Sequence, residues 1–550
     1  MDVVPLGGLG EVGMNCLALR AVDADGELSV LVLDCGITFP EEDLGLDVIH
    51  PDFRWLEEQG DKVRAIVLTH GHEDHIGAVP YLLRRLKLPV YGPAHALALV
   101  RRRLDEHKVA RSAVDLRTVA PGEQLTIGPF RIEPVRVAHS IAQATALCID
   151  TPAGVIVHSG DFNFDPAPSD GEPTDESRLS EIGDRGVALL MSDSTNIDRR
   201  DEGGAESIVK ERLSELISAA PGRVVVSLFS SNVQRLISLG QIASAVGRKI
   251  CLLGRSLSNH LAVATPLGLL DWPSDLMIAP EQLSSYPPSE LLVLAGGTQG
   301  ESAAAMTRLA EGSHSSLKID SGDTVILSSR IIPGNERLVS RMISSLLRLG
   351  VSLHTSRTDP AVHTSGHATR SEQAKMIKLL RPRHFLPLHG TLHHLRAHGA
   401  LASSLGVSGV RVVENGHGLC LSSDGLTDGL RVPAGRVHIA RGGEGIDEAA
   451  IGQRRWLGRT GVVSLAAAIS VDCLEVRDLS LQCEGLPGIS DRDKFEADWE
   501  RRIEQLILRD GRRWHKNDSD PAHKIRAFLR NRFDHALGVR PALHVHIFEL

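Results

Sequence analysis

The sequence predicts an α/β protein of several domains, and three observations lead to this fold class. Short apolar runs of strand length, such as residues 63–68, are followed by polar loops and then by helical patterns. Between residues 203 and 349 such strands and helices alternate, which predicts a parallel sheet covered by helices. The length of 550 residues, with 42% hydrophobic and 23% charged residues, is ample for several buried cores.

The hydrophobic periodicity after residue 203 predicts individual elements. Helices are expected at 204–219, 232–247, 301–311, 335–349, 491–509 and 521–537, and strands at 223–229, 249–253, 291–295, 324–328, 461–471 and 542–548. Residues 430–449 lie between the elements that end by residue 349 and those that begin at residue 461. They are rich in turn signals and therefore predict a connector.

Seven residues directly after the apolar run 63–68 contain four side chains that bind metal ions in proteins. They are Thr69-His70-Gly71-His72-Glu73-Asp74-His75, and a helical pattern follows at 76–85. Imidazole and carboxylate ligands together suit divalent zinc or manganese. Four ligands exceed the three protein ligands of one catalytic zinc, which predicts two ions. The alternative is a solvated polar loop, but so many ligands after a buried strand disfavour it.

Further ligand-type side chains follow later strand patterns. His139 follows the strand pattern 130–138, Asp161 follows 154–160, and Asp193 lies near the end of another apolar run. Asp34 similarly ends the apolar run 28–34, where the alternative is a turn-capping aspartate. A lone histidine at a strand end is usually structural, so His139 alone is a weak candidate, but three such residues in order (His139, Asp161 and Asp193) disfavour chance. A carboxylate such as Asp161 can bridge two cations, since each of its oxygens can face one metal.

Charge and cysteine usage restrict the remaining classes of protein. The net charge of −9 gives no indication of a polyanionic substrate, so any nucleic-acid contact must come from local patches or metal ions. The seven scattered cysteines form no CxxC pair, which predicts reduced thiols rather than a disulfide framework or a zinc ribbon. No apolar run reaches membrane-spanning length and the first residues lack a signal peptide, so we expect a cytoplasmic location without membrane contact.

Two strings carry a resemblance to a known family. Residues 68–77, Leu-Thr-His-Gly-His-Glu-Asp-His-Ile-Gly, resemble the metal-binding signature of the metallo-β-lactamase superfamily. Together with residues 39–52, Phe-Pro-Glu-Glu-Asp-Leu-Gly-Leu-Asp-Val-Ile-His-Pro-Asp, they resemble the ribonuclease J family of its β-CASP nuclease branch. The resemblance covers nearly the whole chain. The short leader segment that many relatives carry before the first strand is not expected here.

The resemblance implies a metallo-β-lactamase αββα sandwich interrupted by a parallel α/β β-CASP domain, followed by a small α/β C-terminal domain. The implied boundaries are 1–200 for the first part of the metallo-β-lactamase domain, 201–360 for the β-CASP domain, 361–428 for the completing part, 429–449 for a linker and 450–550 for the C-terminal domain.

The same resemblance assigns the metal ligands. One ion is expected to bind His70, His72, His139 and Asp161, and the second to bind Asp74, His75, Asp161 and His389. Zinc is expected, with manganese or magnesium as alternatives. Asp34 is expected to support the metal-binding loop without binding metal, and a carboxylate in that position orients ligand histidines. Asp193, in the first additional β-CASP motif, is expected to be catalytic, and Asp74 is expected to orient or deprotonate the attacking water.

The last two β-CASP motifs match residues 363–368 and 385–390. A histidine at position 389 resembles the members that act on RNA, whereas members that act on DNA tend to carry valine. His367, or alternatively His363, is the candidate general acid, since histidine titrates in the required range. Contacts to substrate are expected from His363, Thr364, Ser365, Gly366 and His367, and also from Ser231 and Asn232. The alternative for Ser231 and Asn232 is ordinary helix capping.

The resemblance therefore implies a two-metal ribonuclease that acts as a 5′-to-3′ exonuclease, an endonuclease or both, in RNA maturation and decay. The alternatives are a DNA-acting β-CASP nuclease, a small-molecule hydrolase such as a lactonase, and a scaffold with a degenerate site. Expected partners are single-stranded RNA, further copies of the chain in a homodimer or homotetramer formed through the C-terminal domain, and RNA-decay helicases. Residues 501–540 contain eleven Lys or Arg against five Asp or Glu, an excess that attracts RNA or faces solvent or another subunit.

Overall fold

The computed structural model describes residues 1–42, 44–200, 203–332, 334–440, 443, 445–470, 475–517 and 519–550. These residues form two compact units, one of residues 1–41 with 48–437 and one of residues 42–47 with 438–550. The predicted domain boundary at residue 201 and the end of the strand predicted at 461–471 lie outside the described residues. Within the described part of the chain, no helix is long and apolar enough to cross a membrane.

Two mixed sheets form the centre of the first unit. The strands of the first sheet are, in spatial order, Gly425–Arg431, His417–Ser422, Asp2–Gly7, Cys16–Val22, Leu28–Leu33, Val63–Val67, Val90–Gly92 and Leu116–Thr118. Those of the second sheet are Gly409–Val410, His384–Leu388, Val187–Asp193, Gly154–His158, Thr145–Thr151, Phe130–Arg136 and Leu125–Ile127. Leu31 of the first sheet and Leu189 and Leu386 of the second lie in one buried cluster, so the sheets pack face to face.

Helices cover the outer face of each sheet. Those on the first sheet are Arg54–Gln59, Val79–Leu83 and Ala94–Glu106, and those on the second are Glu176–Arg185, Arg370–Leu380 and Leu392–Ser404. Apolar side chains such as Leu97 and Met376 are buried between these helices and the sheets, as layered packing requires. The predicted αββα sandwich is confirmed. Its short additional elements are the helix Glu73–Ile76, the 3₁₀ turns Gly60–Lys62 and Arg111–Ala113, and the paired strands Leu9–Gly10 and Gly390–Thr391.

The insertion is a parallel six-stranded sheet with helices on both faces. Its strands, in spatial order, are Met277–Ile278, Lys249–Leu253, Leu291–Ala295, Val224–Leu228, Thr324–Ser328 and Ser352–Thr355. Its helices are Glu206–Ala219, Val233–Val246, Arg255–Ala264, Ala305–Ala310 and Glu336–Arg348, and 3₁₀ turns lie at Thr265–Leu267, Pro280–Ser285, Pro288–Glu290 and Pro360–Val362. The parallel sheet is confirmed, and so are its four predicted strands.

The sequence did not predict the helix Arg255–Ala264 or the two strands at the edges of this sheet. Ser352–Thr355 is only four residues long and half exposed, so it lacks the continuous apolar run that marks the buried central strands. The helix predicted at 301–311 begins only at Ala305.

The second unit contains a three-stranded sheet with the order Val476–Glu484, Val462–Ile469 and Ala542–Glu549. The helices Arg492–Lys516 and Pro521–Leu537 pack on one face of this sheet through Trp499 and Phe533. The expected connector at 430–449 contains regular structure, because strands Gly425–Arg431, Arg436–Ala440 and Gly445–Ile446 and the helix Glu448–Thr460 reach into it. The remaining described element is strand Leu46–Pro51. The predicted domain boundaries stay predictions.

A buried ion pair joins several elements of the insertion. The guanidinium of Arg235, which is fully buried, donates from Nε and Nη2 to the carboxylate of Glu206 at 3.0 and 2.8 Å. It also contacts the hydroxyl of Ser328 and donates to the carbonyl of Val362 at 3.2 Å. Because Val362 directly precedes the predicted substrate-binding segment, this pair connects the core of the insertion to the site.

Removing the guanidinium should destabilise the first unit strongly. An Arg235→Met substitution leaves the buried Glu206 carboxylate unpaired, which is expected to lower the free energy of unfolding by about 3–5 kcal/mol. Urea denaturation measures this loss, and the double variant Arg235→Met/Glu206→Leu should recover much of it. Arg212→Met, which removes a partly exposed guanidinium paired with Glu215 and Asp359, is the matched control and should have a smaller effect. An Arg235→Met protein as stable as the wild type would contradict this prediction.

Candidate metal centre

The predicted ligands meet at the carboxyl ends of strands from both sheets. His70 and His72 follow strand Val63–Val67, and Asp161 follows strand Gly154–His158. The helix after the metal motif begins at Glu73 and not near residue 76 as predicted, so His72 is its N-cap residue. Asp74 and His75 therefore lie on the first turn of a helix, which fixes the direction of both side chains.

The first group of donors consists of three imidazoles and one carboxylate. Nε2 of His70 and Nε2 of His139 lie 3.2 and 3.0 Å from Nδ1 of His72. Oδ2 of Asp161 lies 3.7 Å from Nε2 of His70 and 3.8 Å from Nε2 of His139. Three buried imidazole nitrogens that face one another repel if all carry lone pairs, and a divalent cation among them removes this repulsion. The donor set therefore fits a metal ion.

The second group shares Asp161 with the first. Its Oδ2 lies 3.2 Å from Nε2 of His75, and its Oδ1 lies 2.9 Å from Nδ1 of His389. Oδ2 of Asp74 lies 3.3 Å from Nε2 of His389, and this nitrogen is buried. The donor atoms in each of the two groups lie within 4.8 Å of one another, and both groups have the predicted membership. One carboxylate shared by two donor sets is the geometry that a pair of bridged cations requires.

Burial and charge set the protonation of these donors in the absence of an ion. Burial lowers the pKa of His139 to about 4 and holds the pKa values of His70 and His72 well below the usual range. Burial also opposes the charged form of His75 and His389, but neighbouring carboxylates, Asp161 first among them, raise both pKa values well above that range. The first group thus offers neutral imidazoles, whereas a cation in the second group takes the place of protons.

Asp34 contacts the loop of residues 69–75, and its expected role as a support of that loop stays a prediction. Its carboxylate accepts hydrogen bonds from the backbone N–H of Thr69 at 2.8 Å and from the hydroxyl of Thr69 at 2.9 Å. Its Oδ2 also lies 2.7 Å from Nδ1 of His75, which leaves Nε2 of that ring directed at the second group. Asp34 has a φ of 56°, in the left-handed region, so packing of this loop stabilises an unfavourable backbone conformation.

The glycine-rich turn at residues 6–15 contributes a contact, from Asn15, that was not predicted. Nδ2 of Asn15 lies 3.0 Å from Nε2 of His75 and 3.4 Å from Oδ2 of Asp74. The backbone at Gly36 passes so close that a Cβ atom there would lie 1.7 Å from the carbonyl oxygen of Asp74. Gly8, Gly10 and Gly13 of this turn have positive φ angles, which glycine adopts readily. No local pattern indicated that Asn15 would reach the ligands.

The segment from His363 to His367 contacts the donors from the opposite side. Nδ1 of His139 lies 2.6 Å from the carbonyl oxygen of Gly366, and Nδ1 of His367 lies 2.9 Å from Oδ2 of Asp193. The hydroxyl of Ser365 accepts a hydrogen bond from Nδ2 of Asn196 at 2.8 Å. The preceding residue, Thr364, is buried. Asp193 and His367 form a third donor group with Asp161 and His389. Asn196 and its partner Arg330 were not predicted.

Three predicted site residues have other surroundings. The ring nitrogens of His363 are buried, and burial with the nearby charges of Arg235 and Arg330 holds its pKa well below the usual range. Oδ1 of Asn232 accepts from the backbone N–H of Arg235 at 2.9 Å, which is the helix capping weighed as its alternative. The carbonyl oxygen of Ser231 accepts from the N–H of Val233 at 2.9 Å. Their contacts with substrate stay predictions.

The chain matches the models of three protein families. The metallo-beta-lactamase superfamily matches residues 12–202. The ribonuclease J beta-CASP domain matches residues 221–346, and the Zn-dependent metallo-hydrolase RNA specificity domain matches residues 359–413. The three matches follow one another along the first unit in the predicted order.

Whole-chain relatives and a solved structure agree with these matches. The chain is 33% identical to ribonuclease J of Helicobacter pylori strain B128, over 100% of this chain and 80% of that protein. It is 39% identical to ribonuclease J of Mycobacterium tuberculosis strain H37Rv, over 80% of this chain and 78% of that protein. A crystal structure of a protein of unknown function from Enterococcus faecalis V583 has the same fold, with a TM-score of 0.55 and 16% identity, and covers 76% of this chain and 99% of its own. With this identity over its full length, the chain belongs to the ribonuclease J family.

Proposed function

We propose that the chain is a two-metal ribonuclease that hydrolyses RNA phosphodiester bonds as a 5′-to-3′ exonuclease, an endonuclease or both, in RNA maturation and decay. The observation that carries the proposal is the Asp161 carboxylate shared by two groups of histidine and carboxylate donors. Membership in the ribonuclease J family and the match to an RNA specificity domain support RNA as the substrate. The mixture of nitrogen and oxygen donors favours zinc, with manganese or magnesium as alternatives.

The residues of the two donor groups have distinct proposed roles in this reaction. His70, His72 and His139 would hold one ion, Asp74, His75 and His389 would hold the other, and Asp161 would touch both. Bound divalent ions supply a water of lowered pKa and neutralise charge on the phosphoryl oxygens. Asp74 would orient that water or accept its proton. His75 and His389 outweigh the effect of burial and keep the pKa of Asp74 below the usual value, so its carboxylate is ionised.

His367 is the proposed general acid that protonates the leaving 3′ oxygen. Oδ2 of Asp193 lies 2.9 Å from Nδ1 of His367, so a proton on Nδ1 is stabilised and Nε2 is left to face the substrate. The side chain of His367 is partly exposed, as a group that meets substrate must be. His363 is less suited, because its lowered pKa disfavours a protonated ring near neutral pH.

The same segment is proposed to bind the phosphate next to the scissile bond. Ser365 and Gly366 are already positioned by Asn196 and His139, so their backbone would meet a phosphate without rearrangement. Thr364 belongs to this binding segment, and Ser231 and Asn232 are proposed to contact a more distant phosphate or ribose.

The alternative functions are disfavoured by particular features. A DNA-acting nuclease is disfavoured by His389, since the resemblance associates histidine at this position with RNA. A small-molecule hydrolase is disfavoured by the large insertion between strands Val187–Asp193 and His384–Leu388. A non-catalytic scaffold is disfavoured because both donor groups are complete.

Assembly and location are further parts of the proposal. A homodimer or homotetramer formed through the second unit is proposed, as are RNA-decay helicases as partners. Six of the seven cysteines are described and form no disulfide among themselves, whereas Cys473 lies outside the described residues. Free and mostly buried thiols support a reducing compartment, and hence the cytoplasm.

A panel of substrates tests the proposed reaction. The metal-loaded protein is expected to cleave single-stranded RNA and to leave single-stranded DNA of the same sequence largely intact. Matched 5′-monophosphorylated, 5′-triphosphorylated and circular RNAs separate the two modes. Mononucleotides from a linear RNA indicate exonuclease action, whereas cutting of the circle indicates endonuclease action. Failure to cleave any RNA with both ions bound would refute the function.

Replacing the proposed acid should separate catalysis from metal binding. His367→Ala is expected to lower kcat by about 10²–10⁴-fold, the usual contribution of a positioned acid or base, with unchanged metal content. Single-turnover cleavage and elemental analysis of the same preparation measure the two quantities. His393→Ala, at an exposed histidine paired with Asp198, is the matched control and should leave both unchanged. Loss of metal from His367→Ala would instead identify His367 as a ligand, as the third donor group allows.

A further inference from the structure

Glu73 lies between the ligands His72 and Asp74, and an arginine from another helix holds its side chain. Nε of Arg103, in the helix Ala94–Glu106, lies 2.8 and 3.0 Å from the two carboxylate oxygens of Glu73. Nη2 of the same guanidinium lies 2.7 Å from Oε2. Such a two-pronged ion pair fixes orientation as well as distance.

The short helix Glu73–Ile76 is held on one side by backbone hydrogen bonds. The N–H groups of Ile37, Asn15 and Cys35 donate to the carbonyl oxygens of Glu73, Asp74 and His75 at 3.1, 2.9 and 2.7 Å. On the other side, the ion pair between the Glu73 side chain and Arg103 holds the helix. This side chain folds back over the end of the helix, since a Cβ on Gly77 would lie 2.8 Å from Oε2 of Glu73.

The helix Ala94–Glu106, which carries Arg103, is itself held in place by several contacts. It packs directly on the metal loop, where a Cβ added to Gly71 would lie 2.7 Å from Cδ1 of Leu99 and 3.2 Å from Cα of Ala96. Nη1 of Arg103 is itself held by Glu106 at 3.0 Å. The neighbouring Arg102 bonds to Asn259 on the insertion helix Arg255–Ala264, so the supporting helix is anchored to the insertion as well.

We propose that Arg103 is a positioning residue for the second metal ion, and that it acts through Glu73. This inference rests on the proposed two-metal function. Asp74 and His75 follow Glu73 on the same turn and supply two of the four donors of the second group. Without the guanidinium the turn is free to shift on its outer side, and donor atoms displaced by a few tenths of an ångström bind metal less tightly. The first group depends less on the turn, because His70 and His139 come from other segments.

Metal titration of the metal-free protein by calorimetry tests this inference without relying on activity. The wild type is expected to bind two zinc ions. Arg103→Gln should weaken one of them by about 10–100-fold, the usual loss when a group that orients a ligand is removed, and leave the other unchanged. Arg103→Lys should recover part of the loss. Arg101→Gln removes the same charge from an exposed position on the same helix and should change neither affinity.

A double-mutant cycle establishes whether the effect passes through Glu73. If it does, Arg103→Gln should add little in a protein that already carries Glu73→Gln. Fully additive losses, two unchanged affinities in Arg103→Gln, or equal weakening of both ions would each overturn the inference. Fewer than two ions in the wild type would overturn the proposed function together with it, so the two failures are distinguishable.

Discussion

The buried carboxylate of Asp161 is the constraint on which the rest of the site depends. An ionised carboxylate that is 2% exposed is unstable unless positive charge surrounds it. In the absence of an ion, burial is opposed by His389 and His75, which keep the pKa of Asp161 well below its usual value. Two divalent cations would supply this charge better than two protons. The donors that surround Asp161 therefore fit divalent metal ions.

The fold serves this constraint by bringing strand ends together. His70, Asp161 and His389 follow strands of two different sheets, and only the face-to-face packing of those sheets places them side by side. The insertion also helps to position the segment that carries His367. The guanidinium of Arg235, paired with Glu206, donates to the carbonyl of Val362, directly before that segment. The proposed acid and the first donor group are also linked, because the carbonyl oxygen of Gly366, next to His367, lies 2.6 Å from Nδ1 of His139.

Local patterns predicted a metal site in the loop of residues 69–75, whereas the family resemblance assigned His139 and His389. The metal loop and Asp161 could be predicted because each follows an apolar run, and strand ends collect at one edge of a sheet. The start of the helix at Glu73 also had a local signal, since acidic residues stabilise the first turn of a helix, but the predicted start near residue 76 was too late. Asn15 and Arg103 reach the site only through tertiary packing, over 60 and 30 residues of sequence, and no periodicity reports such contacts.

Anomalous diffraction from crystals grown with zinc tests whether Asp161 is shared by two metal ions. We expect two peaks per chain about 3.5–4 Å apart, the usual separation of paired catalytic ions. Asp161 should contact both ions, His70, His72 and His139 should contact one, and Asp74, His75 and His389 should contact the other. A single peak, or two peaks of which Asp161 touches only one, would contradict the account.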